Sequence, residues 1–346
     1  MRIELNISSL KVKYNKVFGY YIDIRKTNKQ KVPDTFIKKQ TLVNSDRFIT
    51  PELKKYEEKI LNANNYIFEI EEKIFNEVCF FLIQNISIIN QNAIVIHKMD
   101  VLANFALVAL ENNYVKPHFN DRATLSIKGG RHPVIEKVIQ SSEKFISNDL
   151  AMDTNNNQIH LITGPNMAGK STFLRQNGLI VLMAQIGCYV PAKYANIGIV
   201  DHLFTRVGAS DNISSGESTF MVEMTEAANI LNNATDRSLV LLDEIGRGTA
   251  TYDGLSIAWS ITEYLHNKDG VNPRTLFATH YHELTYLEKK LERLQNYHVE
   301  VREFEDEIIF LRSIIKGNAD KSYGIHVAKM AGVPKEVIDR ASKILD

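Results

Sequence analysis

The sequence predicts an α/β chain: a P-loop domain with a parallel-rich sheet, preceded by a small β unit and long helices, and followed by a small helix-turn-helix. Three observations carry that prediction. Ile159–Thr163 is a short, mainly apolar strand, and Leu239–Leu242 and Thr275–Ala278 are continuous apolar runs, as suits parallel strands covered by helices. A glycine-rich stretch follows the first run and leads into a helical pattern. Further upstream, Thr50-Pro51-Glu52 reads as a helix start, with a hydroxyl N-cap, proline at the first helical position and an acid in the first turn. Apolar residues at 53, 56, 60, 67, 70, 74 and 78 follow mostly at steps of three and four, predicting a long amphipathic helix, and the helical reading resumes through about Ala109.

The flanking elements follow from local patterns. Leu10–Tyr14 and Phe18–Ile24 alternate as β-strands do, with turn residues between them. At the other end, Gly332 ends one short helix and Pro334 begins another. The expected organisation is a basic β unit over 1–50, helices over 51–117, the α/β domain over 118–315 and a two-helix segment over 316–346.

The chain has 346 residues, 44% of them apolar and 24% charged, which excludes a collagen-like or wholly disordered chain. The richest apolar window, Val78–Ile96, is broken by six Asn, Gln and Ser residues. No membrane-crossing segment is therefore expected, and Met-Arg-Ile-Glu-Leu-Asn lacks the apolar stretch of a signal peptide. The two cysteines, Cys79 and Cys188, exclude a disulfide framework and favour a reducing cytoplasm. The 41 basic and 41 acidic residues cancel, but residues 1–50 hold eleven Lys/Arg against four acids. A local excess of this kind suits a polyanion, although a solvated lysine-rich surface would look the same.

Gly164-Pro165-Asn166-Met167-Ala168-Gly169-Lys170-Ser171 fits G-x-x-x-x-G-K-[ST] without a mismatch, and Thr172 continues it. In this pattern the glycines let backbone N–H groups turn inward to cradle phosphate oxygens, and the following helix aims its positive end at them. Lys170 would neutralise the terminal phosphates, and the Ser171 hydroxyl would ligate Mg²⁺. Seventy-three residues after Lys170, a buried strand ends in Asp243-Glu244. Asp243 would hold Mg²⁺, and Glu244 would polarise an attacking water, which points to hydrolysis. Thirty-seven residues beyond Asp243, another strand ends at Thr279-His280. His280 could contact the terminal phosphate or simply be a packed histidine. Zinc at His280 and His282 is disfavoured, because that spacing splays the rings apart. Ser214–Phe220 is small and polar just before a helix. It reads as a second phosphate surface capping the nucleotide of another subunit, or as a plain N-cap cluster.

In this order, the glycine loop, the Ser-x-Gly-x-Ser-Thr-Phe run, Asp-Glu, Gly246-Arg-Gly-Thr-Ala-Thr-Tyr-Asp-Gly254 and Ala-Thr-His280 resemble ABC-type ATPases. Thr-Gly-Pro-Asn-Met-Ala-Gly-Lys-Ser-Thr and Leu-Leu-Asp-Glu-Ile-Gly-Arg-Gly-Thr are similar to the MutS family of DNA mismatch repair. Residues 10–60 resemble its clamp leading into lever helices, and 322–346 its helix-turn-helix dimerisation segment. The resemblance implies ATP and Mg²⁺ as cofactors and a homodimer with composite nucleotide sites. It also implies a clamp on duplex DNA, a downstream MutL-like partner and a cytoplasmic, nucleoid-associated setting. By motif match it assigns Gly164–Thr172 to phosphate binding, Ser171 and Asp243 to the metal, Glu244 and His280 to catalysis, and Gly216 with Ser218 to action in trans. Phe145 matches a position near the adenine, or is a plain buried phenylalanine. The mismatch-reading part of the family has no counterpart in this sequence. The alternatives are a dimerising ATP-binding fragment without useful DNA affinity, or an ABC-type ATPase with another cargo.

Overall fold

The computed structural model describes residues 1–139, 144–166, 168–208, 219–268, 270–304, 307–318 and 323–345. The chain divides into two compact units, Met1–Lys98 and Met99–Asp346.

In the first unit, β1 (Lys11–Asn15), β2 (Gly19–Arg25), β3 (Ile37–Thr41) and β4 (Ser45–Ile49) form an antiparallel sheet in the order β1-β2-β4-β3. One face is buried around Ile7, Leu10, Ile22, Ile24 and Phe48, so the alternation in β2 sends every second residue into a small core. Helix α1 (Pro51–Asn112) follows. The Thr50 hydroxyl accepts a hydrogen bond from the Leu53 amide at 3.1 Å, satisfying one orphan donor of the first turn. Buried Glu57, one turn further on, accepts from the Tyr20 amide at 2.8 Å and from Lys54 at 2.5 Å, tying the start of the helix to β2.

One expectation about α1 needs correction. The consecutive residues Phe80, Phe81, Leu82 and Ile83 are all exposed. Four successive side chains sweep most of the way round a helix, so beyond Val78 the apolar residues are not confined to one face. Its length and an 18-residue hydropathy of 1.7 also make it apolar enough to cross a membrane by composition, with 6% of that window buried. The polar breaks predicted to rule this out are Asn, Gln and Ser. They carry no charge and lower the mean too little.

In the second unit, β5 (His118–Asn120), β6 (Leu125–Gly130), α2 (Ile135–Val138) and β7 (Asn148–Met152) precede β8 (Ile159–Thr163) and α3 (Lys170–Gln185). Next come β9 (Tyr194–Gly198), β10 (Leu203–Arg206), α4 (Thr219–Asn233), β11 (Leu239–Asp243), α5 (Thr251–Asn267) and β12 (Arg274–Ala278). The hairpin β13 (Leu294–Phe304) and β14 (Glu307–Lys316) leads to α6 (Gly324–Met330) and α7 (Lys335–Leu345). The main sheet runs β10-β11-β12-β8-β13-β14, parallel at every pairing except the β13–β14 hairpin. A smaller mixed sheet runs β5-β9-β6-β7. The chain is thus mixed α/β with a parallel-rich sheet.

The continuous apolar runs have a direct explanation. Leu239, Leu241, Leu276, Ala278 and Ile162 enter one core with α3 and the smaller sheet. The alternate residues Val240, Leu242, Phe277, Ile159 and Leu161 enter a second core, which includes Ala227 and Ile230 of α4 and Ala258 and Ile261 of α5. Each strand therefore feeds two cores at period two, and no position along it can be polar without penalty.

Candidate active site

Parallel register brings the strand tips together. Asp243 lies opposite Ala278, and Ala278 lies opposite Ile162. The chain segments leaving β8, β11 and β12 therefore emerge at one edge of the sheet, where open α/β sheets bind ligands.

The loop leaving β8 carries Gly164 and Gly169 at φ of +138° and +105°, a backbone region that L side chains rarely adopt. Gly169 caps α3, so Lys170 enters the helix with its side chain folded back. Its ammonium donates to the Gly164 carbonyl at 2.6 Å and the Pro165 carbonyl at 2.9 Å. Lys170 is 4% exposed, and burial lowers its pKa to about 8. Ala168 is fully buried. Asn166 lines two cavities, one shared with Glu244 and His280, the other with Gly164 and His280. Met167, Gly216 and Ser218 lie outside the described residues.

At the tip of β11, burial pushes the Asp243 carboxyl up, and a hydrogen bond with Ser171 pulls against that. Asp243 Oδ1 is buried and has no hydrogen-bond partner. A buried orphan carboxylate oxygen next to a hydroxyl is an incomplete set of hard oxygen donors, which fits Mg²⁺ completed by phosphate oxygens and water. Among the described residues, no group of three or more His, Cys, Asp or Glu could hold a metal ion.

Glu244 occupies the left-handed region at φ +56°, while its amide donates to the Ala278 carbonyl at 2.9 Å. One carboxylate oxygen meets His280 Nε2 and the other meets Arg247. The His280 contact, followed by Arg247, holds its pKa down at about 2 against the opposing effect of burial. Arg247 reaches back because the loop behind Glu244 is tight. The Gly246 amide donates to Glu223 at 2.5 Å, and Tyr281 Oη donates to the Gly246 carbonyl at 3.0 Å. A Cβ on Gly254 would lie 2.0 Å from that same carbonyl oxygen. Glu244, Arg247, Thr249, Thr251 and His280 share a cavity of about 260 Å³ with Asn166.

Phe145 is half-buried and lines a third cavity, of about 140 Å³, with Gly169 and Thr172. The wall is pinned by Asn148, whose carboxamide donates to the Arg312 carbonyl at 3.0 Å and accepts from the Ile314 amide at 2.7 Å. Sequence reasoning did not single out Arg247, Asn148 or Gln176, which also lines this cavity. For Arg247 a signal existed, since a base three residues after an acid across a glycine can fold back on it.

In the first unit, Lys11, Lys16, Arg25, Lys29 and Lys39 are exposed and make no ion pair among the described residues. Lys13 and Lys38 are paired with Asp23 and Asp46.

MutS domain V matches residues 160–346, and MutS family domain IV matches residues 1–66. Over 343 residues, 99% of this chain, it is 60% identical to a DNA mismatch repair protein MutS of Clostridium botulinum (strain Hall). Over 344 residues it is 57% identical to the one from Parabacteroides distasonis. The chain spans 37% and 40% of the length of these curated relatives. With domain-family matches over more than half its length, the chain belongs to the MutS family.

Proposed function

We propose that this chain is the Mg²⁺-dependent ATP-hydrolysing part of a mismatch repair protein, and that its first fifty residues grip the phosphate backbone of duplex DNA. The observation that carries the reading is the orphan oxygen of Asp243 beside Ser171, across the strand tips from a lysine held in a glycine loop. Lys170 would exchange its two carbonyl acceptors for phosphate oxygens. Mg²⁺ held by Ser171 and Asp243 would supply charge neutralisation on the terminal phosphates. With its pKa near 2, Glu244 is a permanently ionised acceptor that orients the attacking water rather than a strong base that strips its proton. His280 holds that carboxylate from behind. The Asn166 side of the cavity would face the terminal phosphate, and the half-buried Phe145 would lie near the base.

Family membership supports a homodimer with composite nucleotide sites, residues 214–220 contributing to the partner's site and 316–346 to association. It supports equally a MutL-like downstream partner and a cytoplasmic setting. Backbone contacts made by lysines and arginines carry no mismatch information, so the clamp reading concerns duplex grip alone.

The test is phosphate release from ATP with and without Mg²⁺, for the chain and for Asp243→Asn. Turnover should vanish on chelation and fall at least a hundredfold in the variant, a typical cost for one positioned charged group. Turnover that persists under chelation in both proteins would refute the metal assignment.

A further inference from the structure

Gln176 has no use in the scheme above, yet its placement calls for one. It is 1% exposed, and neither its amide nitrogen nor its amide oxygen has a hydrogen-bond partner. Buried polar groups are almost always paired, and Gln176 leaves both a donor and an acceptor unpaired. Gly130 makes room for it, since a Cβ there would lie 2.8 Å from the amide nitrogen. The side chain lines the cavity that also holds Phe145 and Thr172. Gly169, Thr172, Phe173 and Gln176 recur at helical spacing and all line that cavity. Gln176 sits about 10 Å along α3 from Gly169 at 1.5 Å per residue, so the groove runs from the phosphate loop to the amide.

We propose that Gln176 is the base-reading residue of the nucleotide site and selects adenine. A carboxamide offers one donor and one acceptor side by side. The N6 amino group and N7 of adenine present the matching pair, whereas hypoxanthine and guanine present two acceptors, O6 and N7, along the same edge. Either orientation of the amide satisfies only one of those acceptors and sets its own oxygen against the other. Phe145 and the aliphatic side chains of Ile135 and Ile139, which line the same cavity, supply apolar surface for the base. This inference rests on the nucleotide-site reading and adds to it the group that discriminates among nucleoside triphosphates.

The experiment measures equilibrium binding of ATP and ITP, with Mg²⁺, to the chain and to Gln176→Met, which keeps the side-chain length and removes the amide. The unaltered chain should prefer ATP on the order of ten- to a hundredfold. In the variant, ATP should weaken by most of that factor while ITP changes less than about twofold, so the preference collapses. Equal loss of ATP and ITP would mean a purely structural role and overturn the proposal. If the variant does not fold, the unaltered chain still decides: equal affinity for ATP and ITP overturns the base-reading role alone. Failure to bind either triphosphate overturns the nucleotide site itself and this inference with it.

Discussion

Replacing Lys170 by Met tests the site at the group where burial and charge conflict most. Lys170 is almost fully buried in the glycine loop, and its pKa falls from 10.5 to about 8. Each tenfold change in proton affinity is worth about 1.4 kcal/mol, so holding the ammonium against the loop carbonyls costs roughly 3 kcal/mol relative to water. A lysine with a depressed pKa binds fewer protons folded than unfolded between pH 8 and 10.5. Stability contributed by this group therefore rises with pH across that window and is flat below it. Met has no such term, so the stability of the unaltered chain minus that of Lys170→Met should grow between pH 8 and 10.5. Nucleotide binding should show the opposite slope, because phosphate selects the protonated lysine. Affinity should be level below pH 8 and fall towards tenfold per pH unit above it. In Lys170→Met, affinity should drop by roughly 30- to 1,000-fold, the loss of one or two hydrogen bonds to a charged group, and the slope above pH 8 should disappear. Titration of a fluorescent ATP analogue from pH 7 to 10, alongside urea melts of both proteins, reads all three quantities. Parallel pH profiles for the two proteins would refute the placement of Lys170 against phosphate.

Glu244→Gln keeps the shape of the side chain but removes the charge that meets His280 and Arg247. It should retain ATP binding within a few-fold and lower phosphate release at least a hundredfold, as measured by single-turnover quench, and undiminished release would exclude the water-orienting role. Lys11, Lys16, Arg25, Lys29 and Lys39, if each neutralises one phosphate, give a salt slope of log affinity for duplex DNA of about −4.5. Replacing any three by Gln should bring that slope to about −1.8 without changing basal ATP turnover, and an unchanged slope in filter binding would remove the clamp from these residues.

The parts of the fold that were legible in the sequence are those where one local pattern has one cause. β8 occupies the predicted Ile159–Thr163 span, because Ile159, Leu161 and Ile162 supply apolar side chains to both faces of a strand that is buried along its whole length. The start of α1 was visible because Thr50 and Pro51 do jobs that need only their neighbours. The smaller sheet was not legible. β5 has three residues, two of them exposed, and its partner β9 lies some seventy residues on, so the contact that makes it a strand is non-local. The surroundings of α1 were not legible for a related reason, since spacing reports which residues share a face but not whether anything covers it. In the site, motif spacing located Lys170, Asp243 and Glu244 but not their partners. A base three residues after an acid across a glycine hinted at the Arg247 contact, but the left-handed turn at Glu244 that brings it about is set by the tertiary structure, and Gln176 is one polar letter in a helix whose burial only the tertiary structure reveals.

The site's charges are arranged so that metal and nucleotide should bind as a pair. Lys170 is satisfied by two carbonyls, and Glu244 by His280 and Arg247, so neither recruits a ligand without first giving up a partner. Asp243 is the exception, with one buried oxygen unpaired and its carboxyl held up by burial. A divalent cation arriving alone would find one carboxylate and one hydroxyl, too few oxygens for a hexacoordinate ion. A nucleotide arriving alone would bring its phosphates close to that carboxylate with nothing to separate like charges. Each ligand completes what the other lacks, so by linkage each should raise the other's affinity by the same factor. A coupling of 1–3 kcal/mol, about 5- to 150-fold, is expected between Mg²⁺ and ADP by calorimetry, in either order of addition. Asp243→Asn should abolish most of it while improving ADP binding without metal, because the repelling charge is gone. Coupling that survives intact in Asp243→Asn would mean the cation is held elsewhere, and the unpaired oxygen at the tip of β11 would need another explanation.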